Sequence, residues 1–230
     1  MSRLLESLRG RLVVSCQAYP GEPMNSPTVM ASVAQAVAIG GAAGIRAQGL
    51  DEIAAIRACV SLPLVGLWKV QGHEVFITPT AEHALAVAAA GADIVAVDGT
   101  TRPRPDGAAL VDTITAVHSR TDALAMADCS CLADGVAAAA AGADVVATTL
   151  AGYTGDGPGT TGPDQDLVSA MADRLETPVI AEGRIHTPAQ AAAAIERGAF
   201  AVVVGTAITH PTSIAKWFAG SVERASGESA

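Results

Sequence analysis

Short apolar runs and alanine-rich helical segments alternate along most of the sequence. The runs are rich in β-branched residues, and a Gly-Ala pair often separates a helical segment from the next run. Runs that are apolar on both faces are typical of parallel strands covered by helices, and a glycine favours the left-handed end of a helix. The pattern recurs at 36–46, 86–98, 137–149 and 192–206. It predicts repeated strand–helix units.

Eight runs are predicted as strands: Leu12–Gln17, Ala43–Ala47, Leu64–Lys69, Ile94–Asp98, Leu124–Asp128, Val145–Leu150, Val179–Glu182 and Ala201–Gly205. Helices are predicted near Pro27–Ile39, Leu50–Cys59, Thr80–Ala90, Gly107–His118, Leu132–Ala141, Asp164–Leu175, Pro188–Arg197 and Pro211–Val222. Strict alternation indicates a parallel sheet, and eight units at this length suit a closed barrel. We therefore predict an α/β protein with one catalytic domain over residues 1–230, a (β/α)8 TIM barrel like the ribulose-phosphate-binding barrels.

Each predicted strand ends on a polar residue, and the carboxyl ends of barrel strands are where barrel enzymes keep their sites. These residues are Gln17, Arg46, Lys69, Asp98, Asp128, Thr149, Glu182 and Thr206. The third and seventh strands face each other across such a barrel. Lys69 and Glu182 are therefore predicted to flank a substrate and to transfer a proton at carbon. The alternative is a salt bridge that caps the core.

A carboxylate close to Lys69 would favour its charged form and weaken it as a base. Burial in the mouth of the barrel and the charge of Arg46 are both expected to lower the lysine pKa. The sequence leaves that balance open.

Glycines end the last two predicted strands, at Gly183 and at Gly205-Thr206. Glycine lets the backbone approach a ligand closely, so we predict a phosphate site there, with tight turns as the alternative. Two further arginines, Arg102 and Arg104, lie in a proline-rich loop. Anion binding, a solvated loop and a subunit contact all remain open for them.

The net charge of −9 and the pI near 4.9 oppose nucleic acid as a partner, although one phosphate can still be bound by local amides. The four cysteines contain no C-x-x-C pair, which favours a reducing compartment. No signal-peptide pattern and no run of membrane-spanning length is present, so we expect a cytoplasmic protein without a membrane partner.

No metal and no cofactor are expected. The five histidines, at 73, 83, 118, 186 and 210, lack ligand spacing, and Cys129-Ser130-Cys131 is interpreted as a turn beside the core. No Walker loop, nucleophile elbow or Rossmann fingerprint occurs.

Several longer motifs, in order along nearly the whole chain, carry a family resemblance. They are Val14-Ser15-Cys16-Gln17-Ala18 with Pro20-Gly21-Glu22-Pro23, Gly44-Ile45-Arg46-Ala47, Val75-Phe76-Ile77-Thr78-Pro79-Thr80, Arg102-Pro103-Arg104-Pro105-Asp106-Gly107, Met126-Ala127-Asp128, Thr148-Thr149-Leu150, Gly152-Tyr153-Thr154 and Ile180-Ala181-Glu182-Gly183. With them the chain resembles bacterial N-acetylmannosamine-6-phosphate 2-epimerases.

The resemblance implies a cofactor-independent isomerase, expected to be a homodimer, that interconverts N-acetylmannosamine 6-phosphate and N-acetylglucosamine 6-phosphate in sialic-acid or amino-sugar breakdown. It implies that Lys69 works on the C2 proton and that Glu182 assists. It also implies that the sugar is held by Gln17, Arg46 and Asp128, and we predict Tyr153 as a further substrate-binding residue.

The chain departs from the family pattern at two places. Val70 follows Lys69 where relatives usually have arginine, and His210 stands where they usually have arginine before Pro211. A guanidinium can bind phosphate with two bonds and an imidazole cannot, so we expect either weaker phosphate binding or a compensating residue, for which Arg184 is the candidate. His210 could still donate one hydrogen bond.

Other functions remain as alternatives. One is a different phosphosugar barrel, either a ribulose-phosphate-type epimerase, which normally needs a metal, or an aldolase that forms a Schiff base on Lys69. Another is a sugar-phosphate sensor without turnover. Borohydride trapping on Lys69 and exchange of the C2 proton distinguish these from the epimerase.

Overall fold

The computed structural model describes residues 2–154 and 162–226 and contains a closed barrel of eight parallel strands. The strands are β1 (Leu12–Cys16), β2 (Gly44–Gln48), β3 (Leu64–Leu67), β4 (Ile94–Asp98), β5 (Leu124–Asp128), β6 (Val145–Ala147), β7 (Val179–Glu182) and β8 (Ala201–Val204). They pair in chain order, and β8 pairs with β1. The predicted fold class is confirmed.

The helices alternate with the strands, as the sequence pattern predicts. They are α1 (Arg3–Glu6), α2 (Pro27–Ile39), α3 (Leu50–Arg57), α4 (Ala81–Ala89), α5 (Leu110–Arg120), α6 (Leu132–Ala140), α7 (Gln165–Arg174), α8 (Pro188–Glu196), α9 (Thr206–Thr209) and α10 (Pro211–Ser226). The short helices α1 and α9 were not predicted. Part of the predicted loop 151–163, residues 155–161, lies outside the described residues.

The barrel interior is an apolar core of alternate strand residues. Val65 and Leu67 on β3, Met126 on β5 and Ile180 on β7 belong to one buried cluster in its centre. Successive strand residues point to opposite faces, so this cluster places the next inward residues of several strands at the carboxyl end of the barrel.

The opposite end of the barrel is closed by the segment before β1. Leu5 and Leu8 are buried in the same interior cluster, and the amide of Gly10 donates to the carbonyl of Phe200 at 2.7 Å. The guanidinium of Arg9 lies 4.6 Å from the centre of the Phe200 ring. Substrate access is thereby left to the carboxyl end of the strands.

The predicted third strand is too long by two residues. β3 ends at Leu67, and Lys69 instead forms an antiparallel bridge with Ile77 in the loop that follows. The reason lies in β4, because the amide of Asp98 donates to the carbonyl of Ile77 at 2.9 Å, so this loop occupies the edge that β3 would have continued. Lys69 therefore stands on a hairpin rather than on a barrel strand.

Across residues 2–154 and 162–226, no helix combines the length and the apolar character that a bilayer crossing needs.

Candidate active site

A cavity of about 710 Å³ opens at the carboxyl end of the barrel strands. It is lined by ten of the eleven site residues predicted from sequence: Gln17, Arg46, Lys69, Tyr153, Glu182, Gly183, Arg184, Gly205, Thr206 and His210. These residues come from β2, β7 and α9 and from the loops after β1, β3, β6, β7 and β8. The structure thus brings together side chains that are far apart in the sequence.

A buried ion-pair network forms the floor of this cavity. The guanidinium of Arg46 binds both oxygens of Asp128, with Nη2–Oδ2 at 2.6 Å and Nη1–Oδ1 at 3.2 Å. Its Nη1 also lies 3.3 Å from Oε2 of Glu182. Burial alone would lower the pKa of Arg46, but the two carboxylates outweigh it and raise that pKa, so the guanidinium stays charged.

Asp128 is the one predicted site residue that does not line the cavity. Its side chain is fully buried, and its oxygens accept hydrogen bonds from Arg46 and, at 2.6 Å, from the hydroxyl of Thr149. The predicted direct contact with a sugar stays a prediction. The geometry favours a role in which Asp128 fixes Arg46 from below.

Glu182 has an unusual protonation behaviour for a carboxylic acid. Burial raises its pKa and the nearby charge of Asp128 adds to the effect, while Arg46, the Thr149 hydroxyl and Lys69 oppose it, and the result is a pKa of about 7. At neutral pH a large fraction of Glu182 is therefore protonated. A side chain in this state can both donate and accept a proton.

The pKa of Lys69 is shifted in the opposite direction from that of Glu182. Burial lowers the pKa of its ammonium group, the charge of Arg46 lowers it further, and Glu182 and Asp128 oppose the shift in part. Both causes that the sequence suggested, burial and Arg46, are confirmed in direction. A lysine with a lowered pKa offers more free amine near neutral pH and is a better candidate base.

Gln17 contacts Lys69 directly. The amide oxygen of Gln17 accepts from Lys69 Nζ at 2.8 Å, and its nitrogen donates to the hydroxyl of Ser15 at 2.8 Å. The ring of Tyr19 lies nearby, with its centre 6.0 Å from Lys69 Nζ. The amine is therefore oriented by a neutral acceptor that directly follows β1. The predicted alternative, a Lys69–Glu182 ion pair that caps the core, is not formed by these side chains.

The predicted phosphate end lies beside the β7 and β8 termini. Gly183 has φ of 111°, a conformation that glycine adopts without strain. At Gly205 a side chain would meet Ser15, since an added Cβ would lie 3.1 Å from the Ser15 Cβ. Both glycines therefore meet a local requirement, and both leave backbone open toward the cavity.

Arg184 lies at the same end and is held by the loop after β6. Its Nη1 donates to the carbonyl of Ala151 at 2.7 Å, and its Nε donates to the carbonyl of Gly162 at 2.9 Å. The guanidinium also stacks on Tyr153, 4.9 Å from the ring centre. Tyr153 is 63% exposed, so its ring stands at the rim of the cavity and not on its floor.

His210 is buried and already bonded on both ring nitrogens. Nε2 lies 2.7 Å from the Glu22 carboxylate and Nδ1 lies 2.7 Å from the Ser213 hydroxyl. Its ring also packs edge-on against Tyr19, with centres 5.1 Å apart. The imidazole thus joins the loop after β1 to the start of α10, and a bond to phosphate would have to replace one of these contacts.

The structure narrows the alternatives for the two arginines after β4. Arg104 is buried and donates to the carbonyls of Pro79 and Asp98, so the interpretation of a solvated loop is wrong for it. Arg102 forms an ion pair with Asp98 at 2.6 Å. Neither side chain is among the residues that line the cavity.

Sequence reasoning missed several residues of the cavity wall. Gln48 was overlooked because the second strand was predicted to end at Ala47, although it lies two positions after Arg46 and so on the same face. Ser15 could have been found by the same alternation from Gln17. His186, whose pKa burial lowers, follows a turn and left no periodic signal.

Within residues 2–154 and 162–226, His, Cys, Asp and Glu side chains form no group that could hold a metal ion.

Known proteins of one family match this chain over most of its length. A family model described as "Putative N-acetylmannosamine-6-phosphate epimerase" matches residues 30–224. A protein of Cutibacterium acnes named "Putative N-acetylmannosamine-6-phosphate 2-epimerase" is 55% identical over 218 residues, which cover 94% of this chain and 95% of that protein. A protein of the same name from Caldanaerobacter subterraneus is 45% identical and is covered to 92%.

Solved structures give the same result. The N-acetylmannosamine-6-phosphate 2-epimerase from Clostridium perfringens matches with a TM-score of 0.92 at 38% identity, covering 95% of this chain and 96% of that one. A thiamine phosphate pyrophosphorylase from Pyrococcus furiosus, at 15% identity and a TM-score of 0.61, shares the fold alone. By the extent and identity of these matches, the chain belongs to the N-acetylmannosamine-6-phosphate 2-epimerase family.

Proposed function

We propose that this protein is an isomerase that interconverts N-acetylmannosamine 6-phosphate and N-acetylglucosamine 6-phosphate by moving the proton at C2. The family membership supports the substrate and the reaction. One observation carries the proposal in this chain: Lys69 and Glu182 line the same cavity, and their pKa values are shifted toward neutrality from opposite directions. A base on one face of a carbon and an acid on the other can together invert that carbon.

The proton transfer follows from these two groups. In the open-chain sugar C2 is bonded to an aldehyde carbon, so its proton is acidic enough for an amine base. The free amine of Lys69 removes the C2 proton, the electron pair of the C–H bond becomes part of an enolate, and Glu182 returns a proton to the opposite face of C2. The charge of Arg46, 3.3 Å from Glu182, stabilises the developing negative charge.

The hydroxyl of Thr149 lies between the carboxyl groups of Asp128 and Glu182. It lies 2.6 Å from Asp128 Oδ1 and 3.1 Å from Glu182 Oε2. The hydroxyl has a single hydrogen. It can donate to Glu182 when that carboxyl group is ionised, and when Glu182 is protonated the hydroxyl donates to Asp128 and its lone pairs accept from Glu182.

The sugar and its phosphate are assigned to two ends of the cavity. We propose that Gln17, Arg46 and Tyr153 bind the sugar, while Asp128 acts through Arg46. The phosphate is assigned to the backbone at Gly183, Gly205 and Thr206 and to the side chains of Arg184 and His210. The support for the backbone part of this assignment is that glycine at positions 183 and 205 lets a ligand approach the main chain closely.

Solvent exchange tests the proposed reaction. In heavy water the wild-type protein should incorporate deuterium at C2 of N-acetylmannosamine 6-phosphate and produce the other epimer. Lys69→Met should lower the rate by about 100-fold or more. The chain has one other lysine, Lys216, which is exposed on α10, so Lys216→Met is a matched control with unchanged rate.

The same experiment separates the alternatives. Binding of the sugar phosphate without deuterium at C2 would contradict the proposal and favour a sensor. A borohydride-trapped adduct on Lys69 would favour Schiff-base chemistry and contradict proton transfer by a free amine.

We also propose a cofactor-independent, cytoplasmic homodimer that acts as one catalytic domain in sialic-acid or amino-sugar breakdown. The four cysteines are free thiols, which supports a reducing compartment. Helix α10 supports the dimer, because it buries none of its residues and exposes Phe218 and Val222 by 71% and 68%.

A further inference from the structure

The loop between β3 and α4 forms a small hairpin that carries Lys69. We define the lysine hairpin as residues 68–78. Lys69 pairs with Ile77, the amide of Val70 donates to the carbonyl of Phe76 at 2.8 Å, and the amide of Thr78 donates to the carbonyl of Trp68 at 2.8 Å. The position of the amine in the cavity is therefore set by this hairpin and not by the barrel strands.

The lysine hairpin needs support from outside. A two-stranded hairpin is marginally stable by itself. Thr78, at its end, is fully buried and has φ of 45°, a left-handed conformation that is unfavourable for a β-branched residue. Such a residue keeps its conformation only when its surroundings hold it.

The arginines after β4 provide that support. Arg102 Nη1 donates to the carbonyl of Glu74 at 2.7 Å, and Nη2 pairs with the buried carboxylate of Asp98 at 2.6 Å. Arg104 Nη1 donates to the carbonyl of Pro79 at 3.2 Å, while Nη2 donates to the carbonyl of Asp98. Each guanidinium thus bridges the end of β4 and the loop that carries Lys69.

We propose that Arg102 and Arg104 are positioning residues that hold the lysine hairpin against β4, so that the Lys69 amine meets C2. The inference rests on the proposed function of Lys69. Neither arginine lines the cavity, so they act through the hairpin and not on the substrate. This assigns a role to the Arg-Pro-Arg-Pro segment, which the proton transfer itself leaves unused.

The chain offers a matched comparison at the opposite end of the barrel. Arg57 pairs with Asp93 at 3.0 Å and donates to the carbonyls of Leu62 and Val60, so it holds a loop in the same manner as Arg104. The loop that Arg57 holds precedes β3 and lies far from the cavity. Loss of Arg57 is therefore expected to lower stability alone.

The experiment compares Arg104→Met with Arg57→Met by kcat, KM and C2 deuterium exchange. Arg104→Met should lower kcat by about 10- to 100-fold with KM within about threefold of wild type, because misplacement of a reacting group costs rate more than binding. Arg104→Lys, which keeps one donor, should recover part of the loss. Arg57→Met should keep the wild-type kcat. A kcat for Arg104→Met equal to that of Arg57→Met would overturn the proposal.

A second readout does not depend on turnover. Reductive methylation followed by mass spectrometry measures the pKa of Lys69, with Lys216 as an internal reference. The charged groups that face Lys69 are Arg46, Asp128 and Glu182, and none of them changes in the variant. A loosened hairpin exposes the amine, so its pKa should rise in Arg104→Met; an unchanged value would overturn the proposal.

The two proposals fail in different ways. Absence of C2 exchange in the wild-type protein would refute the epimerase reaction, and the methylation result would then decide whether the arginines hold the lysine hairpin. Exchange in the wild-type protein together with full activity of Arg104→Met would refute only the proposed role of the arginines.

Discussion

At the scale of single residues, the site depends on how burial and charge are balanced around Lys69 and Glu182. Burial disfavours the charged form of both groups, so it lowers the lysine pKa and raises the glutamate pKa. Arg46 adds to the first effect and limits the second. The pKa values of the two groups thus approach each other. Little free energy then separates the state with the proton on Lys69 from the state with the proton on Glu182, which favours proton transfer by way of a shared substrate carbon.

The pH dependence of kcat/KM follows from this balance. In the proposed reaction the active pair holds one proton, with Lys69 as free amine and Glu182 protonated, in equilibrium with the ion-pair form. The plot of kcat/KM against pH should be bell-shaped. It should rise near pH 7, the pKa of Glu182, as the doubly protonated pair loses its first proton. It should fall at a pH below the ordinary lysine pKa, as Lys69 loses the last proton of the pair.

Glu182→Gln tests this assignment. The substrate phosphate also titrates, near pH 6, and its limb should remain in the variant. The limb near pH 7 should disappear, and kcat should fall by about 100-fold. A variant that keeps the limb near pH 7 would show that another group is responsible.

His210 offers a second test at this scale. A guanidinium at this position could keep one bond to Glu22 and direct another to the phosphate. His210→Arg should therefore lower KM for the sugar phosphate by about 10-fold, the effect of one additional charge-assisted hydrogen bond. N-Acetylmannosamine, which has no phosphate, is the control substrate, and its KM should be the same for the variant and the wild type. Equal affinity of wild type and variant for the sugar phosphate would count against a phosphate role at this position.

The sequence was informative about residues wherever strand periodicity applied. Gln17, Arg46 and Glu182 were correctly expected at the mouth of the barrel because every second residue of a strand faces inward. Alternation does not give the depth of a side chain, however. Asp128 and Glu182 both end a strand, yet Asp128 lies beneath Arg46 while Glu182 reaches the cavity.

At the scale of elements, close packing of helices on the barrel depends on small residues at the contacts. Gly66 on β3 is the clearest example. A Cβ there would lie 2.7 Å from Ala92 Cβ and 2.9 Å from Val87 Cγ1, which real contacts do not allow. The helix layer can therefore approach β3 only because position 66 has no side chain.

Substitution at Gly66 is expected to disturb this packing. Gly66→Ala should lower the free energy of unfolding by about 1–3 kcal/mol through overpacking. Gly220→Ala on α10 is the control, because its new methyl group would meet only the flexible end of Arg224, at 3.3 Å, and alanine favours a helix by about 0.5–1 kcal/mol. Urea unfolding measures both, and equal stability of Gly66→Ala and wild type would contradict the packing argument.

The elements that the sequence did not predict have a common cause. Helices α1 and α9 span four residues each, which is too short for a hydrophobic period to appear. The lysine hairpin was not predicted for a different reason. Trp68 extends the apolar run of β3, and only the hydrogen bond between Asp98 and Ile77 shows where the barrel strand stops.

At the scale of the whole molecule, helix α10 exposes an apolar face. Phe218 and Val222 are mostly exposed, and Trp217 is 39% exposed while its ring lies 4.6 Å from that of His186 on the cavity wall. A helix with an exposed apolar face of this kind is typical of an interface. The homodimer expected from the family resemblance would cover it.

Disruption of this face tests the homodimer. The double variant Phe218→Ser and Val222→Ser should sediment as a monomer at concentrations where the wild type is dimeric. Ile39→Ser is the control, because Ile39 is 89% exposed and lies at the end of α2 and not on α10. A wild-type protein that is monomeric, or a double variant that stays dimeric, would contradict the assignment of α10 to the interface.

The closed barrel and its order of strands were predictable from the sequence, because the repeat of apolar run, helix and glycine is a property of the whole chain. The interface and the cavity depend on the relative positions of distant loops, which no local pattern encodes. A crystal structure with bound N-acetylmannosamine 6-phosphate tests the central claim most directly. We predict C2 within about 3.5 Å of both Lys69 Nζ and the Glu182 carboxyl group, on opposite faces of the carbon; a bound sugar whose C2 meets only one of them, or neither, would contradict the account.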